Sequence, residues 1–247
     1  IHKGQDTKHE TRNTKHVTPM IELTNLTKTY GSHTAVDRLS LRVERGEVVG
    51  IIGPNGAGKT TTIKMLGGVL EPTSGTVAVA GIDMRAAPEA AKRRIGFIPD
   101  RPYLYEKLTG LEFLKFTADI YGLPEERFAG RADEMLAMFA LADWSGELIE
   151  SYSHGMKQRL IMAAALVHAP EVIVVDEPMV GLDPRAILMV KGLLRRLASE
   201  GATIFMSTHT LPVAEDICDR IGVIHRCRLV ASGTTAELRQ AADAGSA

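Results

Sequence analysis

Val48-Val49-Gly50-Ile51-Ile52-Gly53-Pro54-Asn55-Gly56-Ala57-Gly58-Lys59-Thr60 is the stretch from which the rest of the chain is read. The first five residues are an apolar run of strand length, and the last eight fit the phosphate-loop pattern G-x-x-x-x-G-K-[ST]. A loop this rich in glycine turns its backbone N–H groups inward around a phosphate, because no Cβ blocks the approach. Lys59 then supplies positive charge to the β- and γ-phosphates, and Thr60 a hydroxyl to Mg²⁺. Thr61 to Leu66 reads as a helix leaving the loop, so its positive N-terminal end meets the anion. The loop, Gly53 to Thr61, is therefore expected to bind a nucleoside triphosphate.

Two further runs, Val172 to Val175 and Ile204-Phe205-Met206, are apolar at successive positions like Val48 to Ile52. Separated by helical stretches, such runs belong in a mostly parallel sheet covered on both faces. Ligands in such sheets bind beyond the carboxyl ends of the strands, where the phosphate loop also lies. Before the loop, Ile21-Glu22-Leu23 and Leu39-Ser40-Leu41-Arg42-Val43 alternate apolar and polar, the mark of half-buried antiparallel strands, with a turn at Tyr30-Gly31-Ser32. From about residue 99 to 166 the pattern is helical: Leu111-Leu114-Ala118 and Met135-Leu136-Phe139 recur at helix spacing, and Pro124 opens a new helix after Gly122. The expected fold is α/β: a phosphate-loop nucleoside triphosphatase core with a mostly parallel sheet, an N-terminal antiparallel β subdomain and an inserted helical lobe. It should occupy residues 20–239. Residues 1–18, polar and charge-mixed, read as a disordered leader or an appended segment, and residues 240–247 as a tail.

The 247 residues carry a net charge of -1, which argues against a nucleic-acid surface. The two cysteines, Cys218 and Cys227, lack zinc-site spacing and are too few for a disulfide framework. Reduced thiols of a cytosolic protein are expected. No apolar run approaches the ~20 residues that span a bilayer.

The phosphate loop alone does not separate kinases, GTPases and ATPases. Val172 to Val175 leads into Asp176 and Glu177: the first acid stands at the strand end, placed to hold the hydration shell of Mg²⁺, and the second can face an attacking water. Such a pair could instead cap the helix after Pro178; the phosphate loop upstream favours catalysis. No N-K-x-D element for guanine occurs, which disfavours a GTPase. Tyr152-Ser153-His154-Gly155-Met156-Lys157-Gln158-Arg159 opens another helix with a hydroxyl and free N–H groups, a second phosphate-binding end. Because Lys59 already serves one phosphate site, this second end is useful if it completes the site of another copy.

In order and spacing, Tyr30, the phosphate loop, Tyr152 to Met156, Asp176-Glu177, Gly181-Leu182-Asp183 and His209 resemble the ATP-binding subunit of an ATP-binding-cassette transporter over residues 20–239. The resemblance implies that Tyr30 stacks on adenine and that Ser153 and Gly155 contact the γ-phosphate held by the opposite subunit. It also implies that Asp183 lies across the dimer seam and that His209 holds the γ-phosphate. ATP and Mg²⁺ are the implied ligands, and Thr60, Asp176 and Asp100 the metal-side residues. The partners implied are a second copy or a homologous ATPase subunit, and an integral membrane permease at the cytoplasmic face of the plasma (inner) membrane.

Two positions depart from the commoner family pattern. His154 replaces a glycine of Leu-Ser-Gly-Gly-Gln, giving a variant that resembles the exporter branch of drug, bacitracin and Ecs-type transporters. Asp100 stands where glutamine is frequent. The short stretch after Ser232 is read as leaving no regulatory domain, and export is the direction expected from it. Two rivals are weaker. Soluble cassettes acting on ribosomes or DNA usually carry two cassettes or long coiled-coil insertions, and a non-hydrolytic module would not need Glu177 and His209.

Overall fold

The computed structural model describes residues 18–100 and 103–244. The expected leader thus lies almost wholly outside the described residues. In chain order the elements are β1 Ile21–Tyr30, β2 His33–Val43, β3 Val48–Ile52, α1 Lys59–Leu66, β4 Ser74–Val79, β5 Ile82–Asp83, α2 Pro88–Lys92 and β6 Ile95–Ile98. The helical stretch follows with α3 Gly110–Ile120, α4 Glu125–Met138 and α5 His154–Leu166. The chain then returns through β7 Val172–Asp176, α6 Pro184–Ser199, β8 Thr203–Thr208, α7 Leu211–Ile217, β9 Arg220–His225, β10 Arg228–Gly233 and α8 Thr235–Ala244. α8 carries helix past residue 239, where the sequence suggested a tail.

β1 and β2 pair antiparallel in a four-stranded sheet of order β2-β1-β4-β5. The second sheet has order β10-β9-β3-β8-β7-β6, parallel from β9 to β6 with antiparallel β10 at one edge. The apolar runs are its central strands. Side chains alternate across a strand, so a strand buried on both faces feeds two cores. Ile173, Val175, Ile204 and Met206 pack with Leu114, Phe139 and Leu160 of the helical side. Val172, Val174 and Phe205 pack with Ile21, Leu23, Ile51, Ile63 and Leu66 between the two sheets. Phe139 and Phe205 are fully buried, and truncating either to alanine costs about 3–5 kcal/mol.

Local chemistry sets the helix starts. Thr109 and Glu112 form a reciprocal capping box on α3. Pro124, extended in backbone, precedes α4 as its N-cap, and Ser153 caps α5. α5 buries residues around most of its circumference, as a helix enclosed by core does. β6, β7 and β8 all end at the same edge as β3, which gathers Asp100, Asp176, Glu177 and His209 around the phosphate loop.

Candidate active site

β3 delivers the phosphate loop from between β8 and β9. Two of its glycines are sterically required. A Cβ on Gly53 would lie 2.3 Å from the Ile224 carbonyl oxygen, and one on Gly58, at φ 104°, 2.3 Å from that of Ala35. Gly58 caps α1 without a side chain, so the first amides of that helix keep their donors for an anion. Lys59 is buried, and its Nζ donates to the carbonyls of Gly53 at 2.8 Å and Pro54 at 3.3 Å. An ammonium held inside a ring of backbone dipoles, beside free helix amides, fits a polyphosphate.

The acids lie at the end of β7. Asp176 is buried, accepts a hydrogen bond from Ser207 Oγ, and lies beside the Thr60 hydroxyl. Burial pushes its carboxyl up from the usual range; Ser207 and Thr60 oppose that rise, while the charges of Asp100 and Glu177 add to it. A divalent cation would relieve this crowding of negative charge. Among the described residues no three His, Cys, Asp or Glu side chains form a metal cage.

Glu177 occupies the left-handed region at φ 51°, uncommon for a residue with a Cβ. Its N–H donates to Ser207 Oγ at 3.1 Å, and its Oε2 lies 3.0 Å from His209 Nδ1. The two acids therefore diverge: Asp176 is turned inward to Thr60, and Glu177 toward a histidine whose side chain is half exposed. Ser207, which fixes both, was not singled out from the sequence. Its signal was a hydroxyl in the apolar run Ile204-Phe205-Met206-Ser207, next to Asp176 in the β7–β8 register.

These groups open on a cleft of about 680 Å³ whose wall includes Tyr30, Asn55, Gly56, Lys59, Thr60, Thr61, Asp100, Glu177 and His209. Tyr30 stands half exposed, with Lys28 Nζ 5.3 Å from its ring centroid. Ala57 is buried, and Gly53 and Pro54 face an adjoining cleft. Ser153, Gly155 and Asp183 are not in the wall of the phosphate cleft. Ser153 is exposed and accepts from Met156 N at 3.3 Å. Asp183 caps α6, accepting from Arg185 N and Ala186 N at 2.9 Å each. His154 does line the cleft.

Comparison with known proteins identifies the family. The family described as ABC transporter matches residues 36–180. The daunorubicin/doxorubicin resistance ATP-binding protein of Streptomyces peucetius is 41% identical over 90% of this chain and 67% of its own length. The bacitracin transport ATP-binding protein of Bacillus licheniformis is 42% identical over 85% of this chain and 68% of its own. A solved ATP-binding subunit of an ABC transporter superimposes with a TM-score of 0.86 at 35% identity, over 91% of this chain and 93% of that one. A dimeric ATP-binding cassette bound to ADP and phosphate after hydrolysis superimposes at 0.79 with 29% identity, over 87% and 98%. With these relatives and this cleft, the chain belongs to the ABC transporter family, as an ATP-hydrolysing nucleotide-binding subunit that powers a separate permease.

Proposed function

We propose that two such subunits, two copies of this chain or one copy and a homologue, close around two ATP molecules and drive export through an integral membrane permease. The observation that carries the reading is the division of phosphate-binding groups within one chain. Lys59, Glu177 and His209 share a cleft, whereas Ser153 and Gly155 at the start of α5 are not in its wall, although His154 between them is. A helix end whose cap hydroxyl and glycine lie off its own chain's cleft is available to the site of a neighbour.

In each site Lys59 exchanges its loop carbonyls for β- and γ-phosphate oxygens, and Tyr30 carries the adenine. Gly53, Pro54, Asn55, Gly56, Ala57, Gly58, Thr60 and Thr61 make up the cradle. Thr60, Asp176 and Asp100 would hold Mg²⁺, which when bound neutralises charge developing on the phosphates. Glu177 takes the proton of the attacking water, and His209 orients Glu177 and contacts the γ-phosphate. Ser153 and Gly155 of the opposite subunit close the site, with Asp183 at the seam. Within the ATPase domain of residues 20–239, the helical lobe of about 99–166 and the Asp100 loop face the permease. No helix among the described residues is long and apolar enough to cross a membrane, in keeping with a peripheral place at the cytoplasmic face of the plasma (inner) membrane. Export is favoured by the Ser153-His154-Gly155 variant and by the drug and bacitracin relatives. The charge of -1 disfavours nucleic acid as a partner.

Mixing two inactive proteins tests the shared site. Ser153→Arg blocks one helix end and Lys59→Ala one phosphate loop, so a mixed dimer retains one composite site with two unaltered halves. Partial recovery of ATP hydrolysis is expected; none, although mixed dimers form, would remove the support for sharing.

A further inference from the structure

His154 and Gly181 belong to different elements, and their contact joins the two half-sites. His154 is the first residue of α5, directly after the Ser153 cap. Gly181 lies in the turn from Glu177 to Asp183, with φ 76°. A Cβ on Gly181 would fall 2.8 Å from His154 Nε2 and 3.3 Å from its Cδ2, so one edge of the imidazole is packed against this backbone. The ring makes no hydrogen bond among the described residues; the contact is one of shape.

From Gly181 the turn is braced in both directions. Toward Glu177, Leu182 N donates to the Met179 carbonyl at 3.4 Å and Val180 N to the Glu177 carbonyl at 3.2 Å. Toward α6, the Asp183 carboxylate takes the two helix amides. Glu177 itself sits in a left-handed conformation that its surroundings have to hold. A short chain of packed and hydrogen-bonded groups therefore runs from the start of α5 to the backbone of the catalytic carboxylate, the kind of contiguous path along which coupling travels.

We propose that His154 is a positioning residue whose ring wedges the Glu177–Asp183 turn, so that seating α5 on the opposing subunit's nucleotide sets Glu177 in its own site. The inference rests on the dimer reading above. It gives the residue that departs from the family's glycine a definite role, since one site's occupancy is felt at the other through a steric contact.

Steady-state ATP hydrolysis by the full chain, with ATP binding measured by titration, tests the wedge. His154→Gly should lower kcat about tenfold and move the Hill coefficient from about 2 toward 1, with ATP affinity and melting temperature unchanged. His154→Ala, a second variant that keeps helix propensity, should behave alike, and His154→Phe should retain most of kcat because it keeps a ring. Gly181→Ala alone meets both the positive φ and the imidazole; with His154→Gly only the first remains, so the double variant should lose several-fold less than the two single losses multiplied. Full kcat and Hill coefficient in His154→Gly, lost ATP affinity, or strictly multiplicative losses would overturn the proposal. Light scattering of Glu177→Gln with ATP and Mg²⁺ separates the two failures. Absence of an ATP-dependent dimer sinks the dimer reading; a dimer alongside an indifferent His154→Gly sinks the wedge alone.

Discussion

At the amino end of β7, Glu171 takes hydrogen bonds from Arg45 at 2.8 Å and from Arg94 at 2.5 Å. At the carboxyl end of the same strand, Asp176 and Glu177 stand together with hydroxyls and a histidine for partners. Both ends open on clefts, about 760 Å³ at the amino end and about 680 Å³ at the carboxyl end. Volume therefore does not mark the active site. In the amino-end cleft, charges are matched within the chain: Arg131 with Glu134 at 2.5 Å, and Arg196 with Glu200 at 3.7 Å, besides the Glu171 pairs. At the carboxyl end the helix amides of α1 have no side-chain cap and Asp176 is pushed toward protonation by burial. The lesson is that valences left open, rather than space, identify where a ligand acts.

Glu177→Gln should break the carboxyl end most severely. The amide keeps the size but cannot take a proton from water, and loss of a general base lowers kcat by roughly 10²–10⁴-fold. Phosphate release should fall by that order while ATP stays bound; wild-type turnover would refute the assignment.

The amino end has one exception to its completeness, and it predicts the next effect. His168 Nε2–H donates to the Ile95 carbonyl at 3.1 Å, and the ring stacks on Tyr121 with centroids 3.7 Å apart. Among the described residues, its Nδ1 is buried without a partner. Desolvation lowers this histidine from 6.5 to about 4, with Arg131 adding to the effect. The folded state thus favours the neutral ring, and below pH 6.5 the unfolded chain takes up the proton first. Stability from this group is complete above 6.5 and is lost as pH falls to about 4, a change of about 3 kcal/mol. Urea unfolding at pH 7 and pH 4 should show His168→Gln to be less acid-sensitive by about that amount. Equal pH dependence would place the acid sensitivity elsewhere.

Glu171→Gln is the mildest and the sharpest contrast. It keeps the shape and removes both ion pairs from a site about a third exposed, so about 1 kcal/mol of stability should be lost in a melt. ATP hydrolysis should not change. A large loss of activity would show that the amino end is not merely structural.

The site was legible to different depths. Lys59, Thr60, Asp176 and Glu177 sit in short motifs in which neighbouring residues alone define the chemistry, and the structure places all four together. Ser207 was harder, because its partner Asp176 is brought beside it only by the β7–β8 register. β4, β5, β9 and β10 carry weaker local patterns: β4 and β10 are partly exposed and mixed in polarity, and β5 is two residues long. Their place depends on neighbours supplied from distant parts of the chain.

The sequence by itself determined the phosphate loop, the acid pair, the second helix opening and the two apolar faces of the central strands. Each is a matter of residue type at short spacing, where backbone freedom, charge and the two-residue strand period act locally. Only the tertiary structure decided that Ser153 stands outside the wall of its own chain's cleft and that His154 presses on Gly181. Those facts depend on strand order and helix placement, and so on the packing of the two cores. No local spacing encodes the distance between residues that the fold brings together from separate elements.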